Sequence, residues 1–152
     1  MMGFLSKLLD KVLDLLNDDP SLKWNLLMKH DGILTLKGVW ETKEVYLYGR
    51  PLEREKAAQV LEINPDEMQF EWGSTNQRAH RLAFSILYQF MPQQEASSYT
   101  KYFCKDFIAK LPENDFETEF NLEFWRNQIL YKRKPYTEKI DTEGQTGNMF
   151  DD

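Results

Sequence analysis

Three basic side chains at the start of a predicted helix form the group with the clearest chemical potential. Arg78, His80 and Arg81 follow the segment 74–76 (Ser-Thr-Asn), in which each residue type can cap a helix. Free N–H groups in the first turn of a helix favour anions. The pattern therefore predicts a ligand- or partner-binding site for a small anion, a phosphate or an acidic protein surface. Solvated charge on an exposed turn, paired with Glu71 or an acidic segment, explains the same residues more simply, and we favour it.

Few other residues could carry out catalysis. The chain has two histidines, His30 and His80, and one cysteine, Cys104, without the Cys-x-x-Cys or His-x-x-x-His spacing of a zinc site. The sequence also lacks the motif of a phosphate-binding P-loop and the Gly-x-Ser-x-Gly elbow of serine hydrolases. We therefore predict no catalytic residue, no metal and no cofactor, and we expect Cys104 to be a packed thiol.

The basic trio lies inside a strand–turn–helix pattern that spans residues 68–91. Met68, Phe70 and Trp72 alternate with polar residues, which predicts a strand with one buried face. A glycine ends that strand. Beyond the turn, apolar residues recur at three- and four-residue steps until Pro92, which predicts a helix with one apolar face. The residues on this face are Ala79, Leu82, Ala83, Ile86, Leu87 and Phe90.

Two motifs flank this turn at a fixed spacing. The first is Phe70-Glu-Trp-Gly73 and the second is Leu82-Ala-Phe-Ser-Ile-Leu87. They resemble the signature of an uncharacterised domain family of bacteria, phages and plasmids, Phe-x-Trp-Gly, a glycine-rich turn and Gln-Leu-Ala-x-Ala-Ile-Leu. The likeness extends from Val45 through the segment 107–112 to Trp125, which is roughly half of the chain.

This chain departs from the resembled family at the turn itself. The glycine-rich turn is replaced by residues 74–79 (Ser-Thr-Asn-Gln-Arg-Ala), and the family's glutamine by Arg81. The resemblance implies a gene of a phage or another mobile element, and it implies no known reaction. Any function that depends on the family's glycines is therefore not expected here.

Composition and charge narrow the class of protein. The 152 residues include 10 Phe, 7 Tyr and 4 Trp, which suits the core of one domain. The formal net charge of −6 argues against a nucleic-acid partner. A single cysteine fits a reducing compartment, and no apolar run reaches the roughly 20 residues of a membrane span. We therefore predict an acidic, cytoplasmic protein without a membrane span.

Residues 4–17 have the pattern of an amphipathic helix. Leucine and valine side chains fall on one face, and Lys7, Asp10, Lys11 and Asp14 on the other. The apolar face can pack on its own domain, or it can form a homodimer or a contact with another partner. A membrane-surface anchor is the least favoured reading, because the polar face is balanced rather than basic.

The other elements are predicted in chain order. A helix begins at Asp19-Pro20 and ends near His30, where a histidine suits the helix dipole. We predict a turn at residues 49–51. Two strands are predicted at 33–40 and 44–48. The segment 52–63 has both helical and strand character. Two further helices are predicted at 94–111 and 122–131.

The segment 113–123 carries five acidic residues and no basic one. Phe116 and Phe120 lie between the acids. One interpretation is a negative surface that mimics nucleic acid or docks on a basic protein. The interpretation that we favour is a solubilising loop, anchored to the core by its two phenylalanines.

Together these features predict an α+β fold, with a small, mostly antiparallel sheet over residues 33–72 covered by helices. We predict that residues 1–131 form one domain and that residues 132–152 are a polar, flexible tail. We predict a non-enzymatic, protein-binding factor of a phage or mobile element, with an anti-defence or host-modulating role. The alternative is a small-ligand or phosphoester enzyme with its site at the turn 74–81. A flat surface there favours the binder, and a pocket with converging acids and bases favours the enzyme.

Overall fold

The computed structural model describes residues 20–132, which have an α+β fold. The predicted helix over 4–17 and the predicted tail lie outside the described residues, except for Lys132. The described helices are α1 (Pro20–Met28), α2 (Glu55–Leu61), α3 (Gln77–Leu87), α4 (Gln93–Asp106) and α5 (Leu122–Lys132). The strands are β1 (Ile33–Val39), β2 (Glu44–Leu47), β3 (Arg50–Pro51) and β4 (Phe116–Asn121), and short 3-10 turns cover Pro65–Glu67 and Ile108–Lys110.

The four strands form one antiparallel sheet in the order β3-β2-β1-β4. Along β1, Leu34 and Leu36 are buried, whereas Lys37 is exposed. This alternation gives the sheet one face toward the helices and one face toward solvent. The prediction of an antiparallel sheet covered by helices is confirmed.

The sheet contains β4 in place of the strand that was predicted at residues 68–72. The side chains of residues 68–72 alternate between buried and more exposed positions, but the segment pairs with none of the strands of residues 20–132. The fourth strand is β4, which comes from the acidic segment 113–123. That segment alternates too, with Phe116 buried and Glu117 exposed. Side-chain alternation is therefore present in both segments, and backbone pairing with β1 decides which of them is a strand.

Helix α3 ends at Leu87, earlier than the predicted boundary at Pro92. The chain then turns, and carbonyls beyond the helix find a side-chain donor. The ammonium of Lys23, which is only 9% exposed, donates to the carbonyls of Tyr88 and Met91 at 2.9 and 3.2 Å. A cation in this position satisfies carbonyls that no longer have a helical partner. The negative end of the helix dipole also stabilises a positive charge there.

The structure also differs from the predictions for the segments 94–111, 52–63 and 49–51. The predicted helix 94–111 ends at Asp106, because Phe107 leaves the helical region with φ −129° and ψ −58°. Its ring lies 4.3 Å from that of Phe120 on β4, so packing across the core accompanies the break. The segment 52–63 contains α2, and the predicted turn 49–51 contains β3.

The core is continuous through residues 20–132. Trp72, Leu82 and Ile86 are fully buried, and Trp125 is 8% exposed, all in one cluster of apolar side chains. These four residues therefore belong to one core. Cys104 is also buried, and desolvation by burial raises the pKa of its thiol. A thiol with a raised pKa is a poor nucleophile at neutral pH, as expected for a packed cysteine.

Strands β2 and β3 are joined by a two-residue turn in which both residues have positive φ. Tyr48 has φ 55° and Gly49 has φ 79°. This is the pattern of a type I′ hairpin turn, in which a tyrosine is uncommon. Tertiary contacts stabilise Tyr48 in this conformation, since its ring stacks on His30 at 3.7 Å and its hydroxyl donates to the carbonyl of Ile33. His30 therefore has a packing role just beyond the end of α1.

This tyrosine should make the protein less stable at high pH. Desolvation raises the pKa of Tyr48 to about 12, whereas an unfolded tyrosine ionises near pH 10. Between these values the unfolded chain binds fewer protons, so the free energy of unfolding should fall as the pH rises. Urea denaturation below and above pH 10 would measure this slope, and Tyr48→Phe should have a shallower one. Equal slopes in the two proteins would contradict the prediction.

Candidate functional site

The turn before α3 is held by a hydrogen bond at each of its ends. Gly73 has φ 84°, and its N–H donates to the carbonyl of Ile108 at 2.9 Å. A Cβ at this position would also lie 2.7 Å from the Cγ of Glu113. The side chain of Asn76 then accepts from the N–H of Ala79 at 2.9 Å, which identifies Asn76 as the N-cap among the three predicted candidates. The turn therefore presents the start of α3 in a defined orientation.

The basic trio divides between two surfaces. The side chain of Arg78 is 55% exposed and lies 3.8 Å from the carboxylate of Glu71, the pairing that the simpler interpretation expected. An exposed pair of this length contributes little to stability, in the range of about 0–1 kcal/mol. His80 and Arg81 instead line a groove next to helices α2 and α4. The trio is therefore not one convergent site.

His80 presents one ring nitrogen for further bonding. Its Nδ1 lies 3.0 Å from the carbonyl oxygen of Asn76. A carbonyl can only accept, so Nδ1 must carry the hydrogen, and Nε2 of the neutral ring is then an acceptor. Next to the guanidinium of Arg81, the imidazole gives the groove one donor group and one acceptor.

The groove has a volume of about 420 Å³. Leu61, Ile63 and Phe84 form its apolar part. None of the lining residues within 20–132 carries a carboxylate; the polar ones are Gln77, His80, Arg81, Ser97 and Thr100. Within residues 20–132, Arg81 has no ion-pair partner. The groove can thus hold a small ligand or an anionic group.

A second surface surrounds the exposed face of α5. Phe124 is 62% exposed and Tyr131 is 79% exposed. They are seven positions apart on the helix and therefore lie on the same side, two turns from each other. We call this pair the aromatic stripe. The predicted helix 122–131 contains both exposed rings, and their position on one side of it could have been read from their spacing.

A cavity of about 380 Å³ adjoins the aromatic stripe. Phe120, Trp125 and Ile129 supply its apolar walls, and Phe124 lies at its border. The Nε1 of Trp125 donates to the carboxylate of Asp106 at 2.8 Å, which fixes the indole ring against the end of α4. Asp106 also lines the cavity, together with Asn121, Gln128 and Lys132. Aromatic side chains exposed beside an apolar cavity are typical of a protein-binding surface.

The described residues contain few groups for other kinds of chemistry. No cluster of three or more His, Cys, Asp or Glu side chains within residues 20–132 could hold a metal ion. None of the helices in this part of the chain combines the length and apolar character required to cross a membrane. Within residues 20–132, the candidate sites are the His80–Arg81 groove, the aromatic stripe with its cavity, and β4, which lies at one edge of the sheet.

The profile of a family of unknown function (DUF6166) matches residues 32–128, well over half of the chain. The chain belongs to this family. The matched range begins just before β1 and ends within α5, so it contains the whole sheet, α2, α3 and α4. The family's range thus includes the groove, the edge of the sheet and Phe124, whereas Tyr131 lies beyond it. Neither the search of curated proteins nor that of solved structures found a match.

Proposed function

We propose that this member of the family is a non-enzymatic factor that acts by binding another protein. The observation that carries the proposal is the aromatic stripe next to its apolar cavity. A ring as exposed as Phe124, at 62%, leaves most of its apolar area in water. Binding of a partner would remove that area from water, and central aromatic side chains often dominate the affinity of protein interfaces.

The absence of converging acids and bases supports binding over catalysis. His80 and Arg81 share a groove, but Glu71, just before the turn, is paired with Arg78 and does not line the groove. A phosphoester enzyme would need a base or nucleophile placed against the anion-binding group. The groove supplies an anion-binding group and an imidazole without a carboxylate to orient it. We therefore assign it at most a binding role.

The proposal also includes the biological setting that the resemblance implies. The resemblance described above implies that this gene originates in a phage or another mobile element. A small acidic protein with a partner-binding surface would then act on a host protein in the cytoplasm, as an anti-defence or host-modulating factor. This part of the proposal depends on the resemblance, whereas the binding role depends on α5.

A pull-down from bacterial lysate tests the binding role. We expect the full chain to recover a partner, and Phe124→Ala to reduce its recovery at least tenfold, since a central aromatic contributes about 2 kcal/mol or more. Met28→Ala is the matched control, because Met28 is an exposed apolar residue on α1, at 38%. Equal recovery by Phe124→Ala and the wild-type protein would contradict the role of the stripe.

The His80–Arg81 groove makes a separate prediction. If it binds phosphate or an acidic surface, Arg78→Glu combined with Arg81→Glu should abolish that binding at low salt. The free energy of unfolding should change by only about 0.5 kcal/mol, because both substitutions are on the surface. The single variants identify the contact: Arg81 lines the groove and Arg78 does not, so only Arg81→Glu should lower the affinity in a titration with inorganic phosphate. Binding that survives the double reversal would exclude this site.

A further inference from the structure

Strand β4 lies at one edge of the sheet. It pairs with β1, and none of the other strands of residues 20–132 pairs with its second side. An edge strand presents a row of N–H and C=O groups to solvent, which can pair with an added strand. β4 has six residues, long enough for such pairing, whereas the opposite edge strand, β3, has two.

The register determines which backbone groups of β4 face outward. The N–H of Tyr48 donates to the carbonyl of Thr35 on β1, so Thr35 directs its backbone groups toward β2. Its neighbour Leu36 must then direct its own toward β4, where it is in register with Thr118. Because backbone direction alternates along a strand, Glu117 and Glu119 present their N–H and C=O groups to the free edge.

The side chains at this edge differ between the two faces of the sheet. Glu117 and Glu119 are exposed on the outer face, opposite Lys37 and Thr35 of β1. Neither carboxylate forms an ion pair within residues 20–132. Phe120 faces the other side and lines the cavity beside the aromatic stripe. An added strand would therefore meet acidic groups on one face and an apolar cavity on the other.

A second copy of this chain fits the edge poorly. If two β4 strands paired with each other, the row that contains Glu117 and Glu119 would lie against the same acidic row of the partner. Like charges directly opposite each other on neighbouring strands destabilise the pairing. Charged side chains at an edge are also a known protection against such self-association. The edge therefore favours a strand of opposite charge.

We propose that β4 binds an extended segment of another protein by strand addition. The segment carries Lys or Arg at alternate positions, facing Glu117 and Glu119, and apolar side chains in between, one of which enters the cavity next to Phe120. Backbone hydrogen bonds to the free edge hold the segment, and the alternating side chains select it. This inference deepens the proposed function and rests on it, because it names the kind of partner that the surface around α5 recognises.

Amide hydrogen exchange with a synthetic peptide tests the proposal on the full chain. The peptide alternates lysine and valine over six residues, the length of β4. The control peptide has the same composition, with its lysines and valines in two separate blocks. We expect the alternating peptide to slow exchange at Glu117 and Glu119 by about tenfold or more, as hydrogen bonding protects amides. Thr118 is the internal control, since its N–H already faces β1. Equal protection by both peptides, or none, would overturn the proposal.

A matched pair of variants separates the backbone contact from charge. Glu119→Pro removes an outward N–H and leaves the ladder to β1, since proline is tolerated where the N–H of an edge strand faces solvent. Glu119→Gln keeps that N–H and removes the charge. We expect Glu119→Pro to abolish peptide binding and Glu119→Gln to weaken it. Circular dichroism confirms that both variants fold. If Glu119→Pro still binds normally, strand addition is wrong.

The state of the edge in the free protein distinguishes other occupants. If the amides of Glu117 and Glu119 are already protected at high dilution, a segment of the same chain covers the edge; if protection rises with protein concentration, a second copy does. Either result would overturn the proposal. The pull-down with Phe124→Ala is scored separately. A partner lost with Phe124→Ala but retained by Glu119→Pro would support the binding function and reject strand addition.

Discussion

Truncation of Trp72 to alanine should lower the free energy of unfolding by about 3–5 kcal/mol, the usual range for a large aromatic residue in a core. Trp72 is fully buried, and its ring meets those of Trp40 and Phe116 edge to face, at 5.5 and 5.0 Å. Its Nε1 donates to the carbonyl of Asn114 at 3.0 Å. The substitution thus removes apolar contacts and a link between the segment before α3 and the loop before β4.

Urea denaturation of the wild-type protein, Trp72→Ala and Trp72→Phe would measure this effect. Phenylalanine keeps an aromatic ring but loses the donor, and Asn114 is exposed, so water can satisfy its carbonyl. We therefore expect Trp72→Phe to cost less than the alanine variant. A loss below about 1 kcal/mol for Trp72→Ala would show that the ring is not a core residue.

Replacement of Gly38 by alanine should destabilise the protein by about 1–3 kcal/mol, the cost of overpacking a core. Glycine normally weakens a strand, so the opposite sign would be expected from propensity alone. At this position the ring of Phe116, the cross-strand partner of Gly38, lies over the backbone. A Cβ on Gly38 would be 2.2 Å from Cε2 of Phe116. The ring would have to move, which would disturb its edge-to-face contact with Trp72.

A double-mutant cycle isolates this steric cause. In the background of Phe116→Ala the obstacle is gone, and Gly38→Ala should then cost less than about 0.5 kcal/mol. The difference between the two backgrounds is the interaction between the Cβ and the ring. If Gly38→Ala costs the same with and without Phe116, the close approach is not the reason for the glycine.

The two predictions concern the same part of the molecule. Phe116 opens β4, covers Gly38 and contacts Trp72, so the edge strand is fixed to the sheet and to the core at its first residue. At its other end, Phe120 packs on Phe103 and Phe107 of the helical layer. A rigidly held edge would require little ordering on binding, which favours affinity for an extended partner.

Much of the local structure follows from the sequence alone. The three- and four-residue spacing of apolar side chains predicted α3 and its buried face, and Asn76 was among its predicted caps. The burial of Trp72 and Trp125 was also predictable, because large apolar side chains at regular positions have few other places to go. These features depend on interactions between residues close in the chain or on the average cost of exposing apolar area.

Pairing across long distances could not be predicted in this way. The segments 68–72 and 113–123 both alternate, and only the latter found a strand partner, since pairing depends on where the tertiary fold brings each segment. The same holds for the basic trio, which lies within four consecutive positions of the sequence but is divided into one residue paired with Glu71 and two groove residues.

The sequence by itself determined the α+β class, the helical core and the acidic character of the segment 113–123. Only the tertiary structure decided that this segment is an edge strand, with the backbone of Glu117 and Glu119 directed outward and an apolar cavity beside Phe120. The physical reason is that charge and hydrophobicity are properties of single residues. A free edge, in contrast, is a property of hydrogen bonds between β1 and β4, whose paired residues are roughly 80 positions apart in the chain.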